Sequence, residues 1–264
     1  LDIKEEDYLI DEKKIEKKIN SKTKAIVVTQ LNGRVANMSE IIKIAKKYKL
    51  KIFEDSAQGL GAFYKGKHAG TFGYGGCFSF YPAKILGCLG DGGAVITNNK
   101  KIYENLLALR DHGRKKNDIK TWGFNARLDN IEAATLDYLL EEVPKFIKLR
   151  RKIANIYNKE LKSITNISLP PSPKFNEDNF DVFQNYEIIA KKSHELCKFL
   201  KKNNVGTLRQ WGGKSLNNFK YLKMNSVGSR SDMIFKNLVM LPMNISVTEN
   251  EAFYISNLIK KFYE

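Results

Sequence analysis

Cysteines and long apolar runs are both scarce in this chain of 264 residues. The three cysteines, Cys77, Cys88 and Cys197, are odd in number and lack metal-ligand spacing, so we expect no bound metal and a reducing, cytoplasmic setting. No apolar run approaches the roughly 20 residues that cross a bilayer, and we expect no membrane partner. The first residues, from Leu1 onward, contain no basic and apolar signal sequence.

Two common phosphate-binding motifs are also missing from the glycine-rich stretch between Gly87 and Gly93. No Gly-Lys-Ser/Thr follows it, as a P-loop requires, and it lacks the G-x-G-x-x-G spacing and the following helix of a dinucleotide fingerprint. Its glycines permit tight turns close to a ligand. The stretch therefore predicts close backbone approach without either nucleotide-binding motif.

Acidic residues are outnumbered, 29 against 45 basic ones, which gives a formal net charge of +16. The lysines are dispersed as pairs, most of them at solvent positions or in the last turns of predicted helices. A protein that binds nucleic acid would instead interleave basic and aromatic residues along one stripe. We therefore expect no nucleic-acid partner, although a general positive field favours a substrate that carries a diphosphate.

The first half of the chain alternates strands and helices. Short apolar, β-branched runs predict strands, and Asn37 or Ser39 can cap the helix between the first two. This alternation predicts an α/β fold with a mostly parallel sheet flanked by helices. Ligands gather at the carboxyl ends of such strands, and Asp55 stands at one of them. The predicted strands are residues 24–29, 50–54, 77–80 and 93–97.

The second half is more helical and contains a proline-rich break at 169–173. From Leu128 to Leu140 the apolar spacing predicts a buried helix, and Pro144 separates it from a second one. Thr248 and Glu251 form a capping box at the start of the last helix. We predict a large domain over 1–145, then a connecting helix and a small C-terminal α+β domain over 146–264. Further predicted elements are strands at 186–190, 206–209 and 238–241 and a helix at 193–202.

Three residues between the second and fourth predicted strands each allow two interpretations. Asp55 ends a buried strand, so it either faces a positive partner such as a protonated pyridine nitrogen or lies in a surface turn. Lys84 has apolar neighbours that would lower its pKa and favour Schiff-base chemistry, or it is an ordinary surface lysine. Ser79 alternates with two phenylalanines and is either a phosphate ligand or a buried serine bonded to the backbone.

The order and spacing of the motifs are more specific than any one of these residues. The motifs are Glu54-Asp-Ser-Ala-Gln58, Gly73-x-x-Gly-Cys-Phe-Ser-Phe80, Pro82-x-Lys84, Gly90-Asp-Gly-Gly-Ala94, Arg110-Asp-His-Gly113, Gly123-Phe-Asn-x-Arg127 and Leu241-Pro-Met243. These motifs are spread over essentially the whole chain. Through them the sequence resembles the DegT/DnrJ/EryC1/StrS family of sugar aminotransferases. That family has PLP-transferase fold type I, the aspartate aminotransferase fold.

The resemblance implies that the cofactor is pyridoxal 5'-phosphate (PLP) and gives each matching residue a role. Lys84 forms the internal aldimine and moves protons at the substrate carbon, and Asp55 pairs with the pyridine nitrogen. Gln58 contacts the ring near its phenolic oxygen, and Ser79 binds the cofactor phosphate. Asn125 reaches the phosphate of the neighbouring subunit, so the active unit is a homodimer with shared active sites. The roles of Arg127 and His112 stay open between structure and function.

The resemblance also implies a reaction in two halves. An amino acid, glutamate or glutamine, gives its nitrogen to the cofactor, and a keto-sugar linked to UDP, dTDP or GDP then accepts it. Such products enter polysaccharide biosynthesis and related pathways. Relatives with histidine at the position of Lys84 are dehydratases, so the lysine favours amination. A sugar dehydratase, or an enzyme acting on a non-nucleotide ketone, remains the alternative.

The chain departs from the family pattern in two places. Relatives carry a further N-terminal segment before the position of Leu1, with a Gly-Thr-Ser-type loop for the phosphate and an aromatic residue against the ring. Residues 29–33 read Thr-Gln-Leu-Asn-Gly, where relatives often show histidine and an aromatic residue. We therefore expect that part of the family's phosphate cradle is not supplied by this stretch of sequence.

Overall fold

The computed structural model describes residues 1–173, 178–223 and 229–264. The first half alternates strands and helices, as its sequence predicts. In chain order its elements are β1 (Ala25–Thr29), α1 (Met38–Lys47), β2 (Lys51–Asp55), β3 (Phe63–Tyr64), β4 (Lys67–His68), β5 (Gly75–Ser79), β6 (Gly93–Ile96), α2 (Lys100–Arg110), β7 (Arg114–Lys115), β8 (Asp118–Ile119), α3 (Asn130–Leu140) and α4 (Val143–Leu161).

Four of these strands form the central sheet, in the order β1-β2-β5-β6. The first three are parallel, and β6 runs antiparallel to β5 at the edge. The prediction of a mainly parallel sheet is confirmed. The register pairs Asp55 with Thr29 on one side and with Cys77 on the other, so the three strands end together at one edge.

The two faces of the central sheet differ in burial, because residues alternate between them. One face packs against α1, which begins at the predicted cap: the Asn37 side chain accepts a hydrogen bond from Glu40 N. The other face is open, and Val27 on it is 65% exposed. Buried side chains of the first face and of α1 are Ile26, Val28, Ile52, Phe78, Met38, Ile41, Ile44 and Ala45.

A second, smaller sheet carries its own apolar core, and its strands lie in the order β12 (Leu238–Leu241), β11 (Tyr186–Ala190) and β9 (Ile167–Ser168). The apolar core beside the central sheet is here called the first core, and that of the smaller sheet the second core. Helix α4 contributes to both, with Ile147 in the first core and Ile153 in the second. The division at residue 145 stays a prediction. The remaining elements are β9 (Ile167–Ser168), β10 (Asn179–Phe180), β11 (Tyr186–Ala190), α5 (Ser193–Lys202), α6 (Ser229–Asn237), β12 (Leu238–Leu241) and α7 (Glu249–Tyr263).

Helix α3 corrects the expectation of burial along residues 128–140. Leu136 is buried, but Ile131 and Leu140 are exposed. The apolar residues of α3 lie all around the helix instead of along one stripe, so one packed face cannot cover them all.

The strand predicted at 206–209 is also wrong. Only Leu208 pairs with a strand, through an isolated bridge to Met240. The chain then enters a 3-10 turn at Gln210–Gly213, in which Trp211 has a φ of 50°. Such left-handed backbone cannot continue a ladder, and pairing stops there. Among the helices of the described ranges, none has the length and apolar character needed to span a bilayer.

Candidate active site

The candidate site lies at the edge where β1, β2 and β5 end. Asp55 and Cys77 are register partners, and Ser79 lies two residues beyond Cys77, so all three stand on the open face. All three side chains are half-buried, whereas Phe78, between Cys77 and Ser79, is buried on the opposite face. The alternation that the sequence predicts for Ser79 is therefore present.

Asp55 is held by the turn that follows β2. Its Oδ1 atom accepts a hydrogen bond from Ala57 N at 3.1 Å and lies 4.0 Å from the Cys77 sulfur. Burial, and after it the negative charge of Asp55, raises the pKa of the Cys77 thiol. The carboxylate is therefore fixed by its neighbours and sets the local potential.

The neighbouring carboxylate, Glu54, has a structural role on the other face. It is 2% exposed and accepts hydrogen bonds from Gly70 N at 2.7 Å, Phe72 N at 2.6 Å and Gln30 Nε2 at 2.8 Å. Both of its oxygens are thus satisfied in the interior. These bonds fix the end of β2 and leave Asp55 to face the open side.

Lys84 lies in a turn just after β5. Its backbone N–H donates to Tyr81 O at 2.8 Å, and the next two residues, Ile85 and Leu86, are buried in the first core. The amine itself is half-buried. Burial lowers the pKa of Lys84, and the nearby Asp55 carboxylate opposes that effect. Lys84 and Asp55 therefore share one electrostatic environment, and the lysine is not an ordinary surface residue.

Two hydrogen bonds from Gln184 hold the backbone on either side of Lys84. Its Oε1 accepts from Ile85 N at 2.9 Å, and its Nε2 donates to Ala83 O at 2.9 Å. Gln184 is 6% exposed. Sequence reasoning missed this residue.

Gln58 belongs to a small group of amides. Its Oε1 accepts hydrogen bonds from Asn32 N at 2.7 Å and from Asn185 Nδ2 at 3.4 Å. Asn185 Nδ2 also donates to Asn32 Oδ1 at 2.8 Å. Because the backbone N–H of Asn32 can only donate, Oε1 is the Gln58 atom bound in this group, and Nε2 is the atom that remains for a ligand.

Ser79 ends β5, opposite Gly93 of β6. Its hydroxyl oxygen accepts a hydrogen bond from Tyr81 N at 3.3 Å, at the start of the turn that carries Lys84. A serine Oγ that accepts one bond still has a proton to donate. The hydroxyl therefore remains available to an anion on this face.

Asn125 does not belong to this sheet edge. It pairs with Asp111 through an isolated bridge, next to the exposed hairpin of β7 and β8. Arg127 forms an ion pair with Asp111 and, as the largest cause, lowers the pKa of that carboxyl. His112 has a φ of 56° and donates its N–H to Phe124 O at 2.9 Å. These contacts favour a structural role for Arg127 and His112.

The mainly parallel sheet, with Asp55 and Lys84 near its carboxyl edge, has the α/β architecture of PLP-transferase fold type I, which solved aminotransferase structures share. The sequence pattern of the DegT/DnrJ/EryC1/StrS aminotransferase family matches residues 1–260. The chain therefore belongs to that family, whose members depend on PLP.

Two curated relatives illustrate the match. The "Pleiotropic regulatory protein" of Geobacillus stearothermophilus is 33% identical over 270 residues, which cover 100% of this chain and 72% of the relative. The UDP-2-acetamido-2-deoxy-3-oxo-D-glucuronate aminotransferase of Pseudomonas aeruginosa is 35% identical over 209 residues, which cover 78% of this chain and 57% of the relative.

Solved structures agree with the fold. A DegT DnrJ EryC1 StrS aminotransferase from Brucella abortus superposes with a TM-score of 0.91 and 29% identity, covering 100% of this chain and 72% of that one. The GDP-4-keto-6-deoxy-D-mannose-3-dehydratase of E. coli, with bound hydrated PLP, has a TM-score of 0.87 and 24% identity over 98% of this chain and 72% of that one. The second likeness shows the fold alone.

Proposed function

We propose that this chain is an aminotransferase that moves an amino group from an amino acid, glutamate or glutamine, to a nucleotide-linked keto-sugar, with PLP held by Lys84. The observation that carries the proposal is the half-buried Lys84 amine in the field of Asp55, on the open edge of the sheet. The relative from Pseudomonas aeruginosa, named for a UDP-linked oxo-sugar acid, supports the substrate class.

The side chains present fit the chemical groups of PLP. Lys84 offers an amine whose pKa burial lowers, which suits attack on an aldehyde. Asp55 offers a carboxylate for a protonated pyridine nitrogen, and Gln58 Nε2 offers a donor for the phenolic oxygen. Ser79 offers a hydroxyl donor for the phosphate. We assign these four residues to the cofactor, and we assign catalytic roles to Lys84 and Asp55.

When bound, PLP supplies an electron sink next to the reacting carbon. The chain's own contribution is to place and tune the groups around that carbon. The Lys84 Nζ atom, whose pKa burial lowers, can take a proton from the substrate carbon and return it there. Ala57 N donates to Asp55 and holds the carboxyl group in place at the end of β2. The buried Ile85 and Leu86 anchor the turn of Lys84 in the apolar core.

We also propose that the active unit is a homodimer in which Asn125 contacts the phosphate of the neighbouring subunit's cofactor. Large apolar side chains around Asn125 support this, because a monomer rarely exposes so many together. Trp122 is 96% exposed and Phe124 is 69% exposed. Sedimentation of the protein with PLP tests the dimer. Asn125→Ala is expected to weaken PLP binding without dissociating the subunits.

The visible absorption spectrum of the protein with added PLP tests the cofactor assignment. Wild type is expected to show a band that borohydride abolishes, with the pyridoxyl group then found on Lys84 by mass spectrometry. Lys84→Ala is expected to lack the band. Lys51→Ala, which removes an exposed lysine of the same sheet, is the matched control and should keep it. A band that persists in Lys84→Ala would contradict the assignment.

Product analysis then tests the reaction. Wild-type protein with PLP is supplied with glutamate or glutamine and with keto-sugars linked to UDP, dTDP or GDP. An aminated sugar in the mass spectrum is the expected product. A dehydrated sugar, or amination of an inositol ketone alone, would favour the alternative enzyme of the same fold.

A further inference from the structure

Residues 181–187 form a buried segment, here called the junction segment, that joins the two apolar cores. It leaves β10 and enters β11. Val182 packs in the first core, whereas Phe183 and Tyr186 pack in the second, and all three are fully buried. The two polar residues in its middle, Gln184 and Asn185, direct their amides to the candidate site.

Gln184 acts on the turn that carries Lys84. Its two hydrogen bonds satisfy the N–H of Ile85 and the carbonyl of Ala83, the two peptide groups that flank the lysine. Such a two-point contact fixes both the position and the rotation of the turn. The path of the Lys84 side chain toward Asp55 therefore starts from a backbone that Gln184 holds.

Asn185 acts on Gln58. One Nδ2 group contacts both Gln58 Oε1 and Asn32 Oδ1, while Asn32 N also donates to Gln58. These bonds occupy the oxygen end of the Gln58 amide. The amide is thereby oriented with its donor end away from the junction segment.

The junction segment itself is firmly anchored, so its two amides are not free rotors. Arg150 Nη1 donates to Phe183 O at 3.2 Å, to Gln184 O at 3.0 Å and to Met243 O at 3.0 Å. Arg34 forms ion pairs with Asp181 and Glu187 at the two ends of the segment. Buried charge-assisted bonds of this kind restrict backbone motion.

We propose that Gln184 and Asn185 are positioning residues for the proposed transamination, Gln184 by fixing the peptide groups around Lys84 and Asn185 by orienting the Gln58 amide. The inference rests on the proposed function. The junction segment, which packs partly in the second core, thereby shapes a site whose other residues in the same subunit all come before residue 85.

Amide hydrogen exchange and lysine labelling test Gln184 without relying on catalysis. In Gln184→Met, which has a similar size but no amide, exchange at Ile85 N–H is expected to be about 2- to 10-fold faster. Trace labelling with acetic anhydride across pH reports the reactivity of each lysine by mass spectrometry. The labelling midpoint of Lys84 is expected to move toward that of exposed lysines.

Two further variants separate positioning from general stability. Gln184→Glu keeps an acceptor for Ile85 N and is expected to retain slow exchange there. Tyr157→Phe removes another buried bond of the second core, from the Tyr157 hydroxyl to Pro242 O at 3.0 Å, and should leave Lys84 labelling unchanged. If Gln184→Met leaves both Ile85 exchange and Lys84 labelling as in wild type, or if Tyr157→Phe changes Lys84 labelling equally, the proposal for Gln184 is wrong.

PLP titration of the full chain tests the role of Asn185. Its outcome can be distinguished from a failure of the proposed function. Asn185→Leu is expected to weaken PLP binding by roughly 5- to 10-fold, as for one lost neutral hydrogen bond, while Lys84 labelling stays as in wild type. Equal PLP affinity in Asn185→Leu and wild type would refute the role of Asn185. If wild type captures no PLP on Lys84, the proposed function fails, whereas the exchange and labelling results still decide whether Gln184 fixes the turn.

Discussion

Replacing Glu187 by glutamine is expected to change how the stability of this protein depends on pH. Glu187 and Asp181 are buried and share one cation, Arg34, whose Nε lies 2.7 Å from Asp181 and whose Nη1 contacts Glu187. Two carboxylates beside one guanidinium leave excess negative charge in the interior. Such charge is costly unless a proton neutralises it.

The direction in which stability changes with pH follows from the pKa values of the two carboxyl groups. Burial, opposed by Arg34, raises the pKa of Glu187 from 4.5 to about 7 and that of Asp181 from 3.8 to about 6. Between pH 4.5 and 7 the folded state therefore binds more protons than the unfolded state. Stability from these groups is present at low pH and is lost as pH rises through the folded pKa values. Tyr8 and Tyr186 also interact electrostatically with Glu187, and Arg151 acts on Asp181.

The magnitude for Glu187 follows from the same values. The difference between about 7 and 4.5, at 1.36 kcal/mol per pH unit, corresponds to roughly 3 kcal/mol lost by pH 8. Glu187→Gln has no proton to lose there and keeps an acceptor for Arg34. Relative to wild type, its free energy of unfolding should therefore rise by roughly 2.5 kcal/mol from pH 5 to pH 8, because part of the total change falls below pH 5.

Urea unfolding followed by far-ultraviolet circular dichroism, at pH 5, 6, 7 and 8, measures this difference. Titrating groups remote from Arg34, Asp181 and Glu187 are common to both proteins and cancel when the two curves are subtracted. A difference that is flat with pH, or that falls as pH rises, would refute the reasoning, because then Glu187 would be ionised in the folded protein throughout this range.

Three further substitutions have distinct expected outcomes. Asp55→Asn removes the charge that opposes the lowered pKa of Lys84, so the Lys84 labelling midpoint should fall further, and the rate of amination should drop at least about 100-fold in steady-state assays. Gly33→Ala introduces a Cβ at a φ of +92°, 2.8 Å from Gln184 N, and should cost about 1 to 3 kcal/mol in urea unfolding. Thr248→Ala removes the capping box of α7 and should cost about 1 kcal/mol while leaving amination unchanged.

Local patterns in the sequence predict the parts of this structure that depend on neighbouring residues. The Asn37 cap and the Thr248 capping box are each set by contacts within three positions. The strand expected at 206–209 was wrong: only Leu208 pairs, with Met240, and a 3-10 turn begins at Gln210. Asp55 was expected at the ligand edge because it ends a strand, and Ser79 was added to the site by the resemblance to the family; the register places both residues at the same edge of the sheet.

The residues that hold the site in place were beyond such reasoning. Gln184 binds peptide groups 99 and 101 positions away, and Arg34 pairs with carboxylates 147 and 153 positions away. Nothing in the neighbouring sequence of Gln184 indicates its partner. The one usable signal was an amide pair placed directly before an apolar strand, since buried amides require partners. That signal predicts a contact but does not identify it.

A substitution of Arg34 tests whether the buried acids Asp181 and Glu187 affect the candidate site through the backbone of the junction segment. Gln184 and Asn185 lie between Asp181 and Glu187, so an Arg34→Met substitution frees both ends of the junction segment at once. It leaves two buried carboxylates without their cation and should cost about 3 to 5 kcal/mol at pH 8. Protonation relieves that loss, so the deficit should shrink as pH falls to 5. If the junction segment transmits the change, Ile85 exchange in folded Arg34→Met should be faster at pH 8, after correction for intrinsic exchange, and closer to wild type at pH 5. In Glu187→Gln, which keeps the pair between Arg34 and Asp181, Ile85 exchange should stay as in wild type at both pH values. Equal Ile85 exchange in wild type, Arg34→Met and Glu187→Gln would mean that the turn of Lys84 is held independently of Arg34 and its two carboxylate partners.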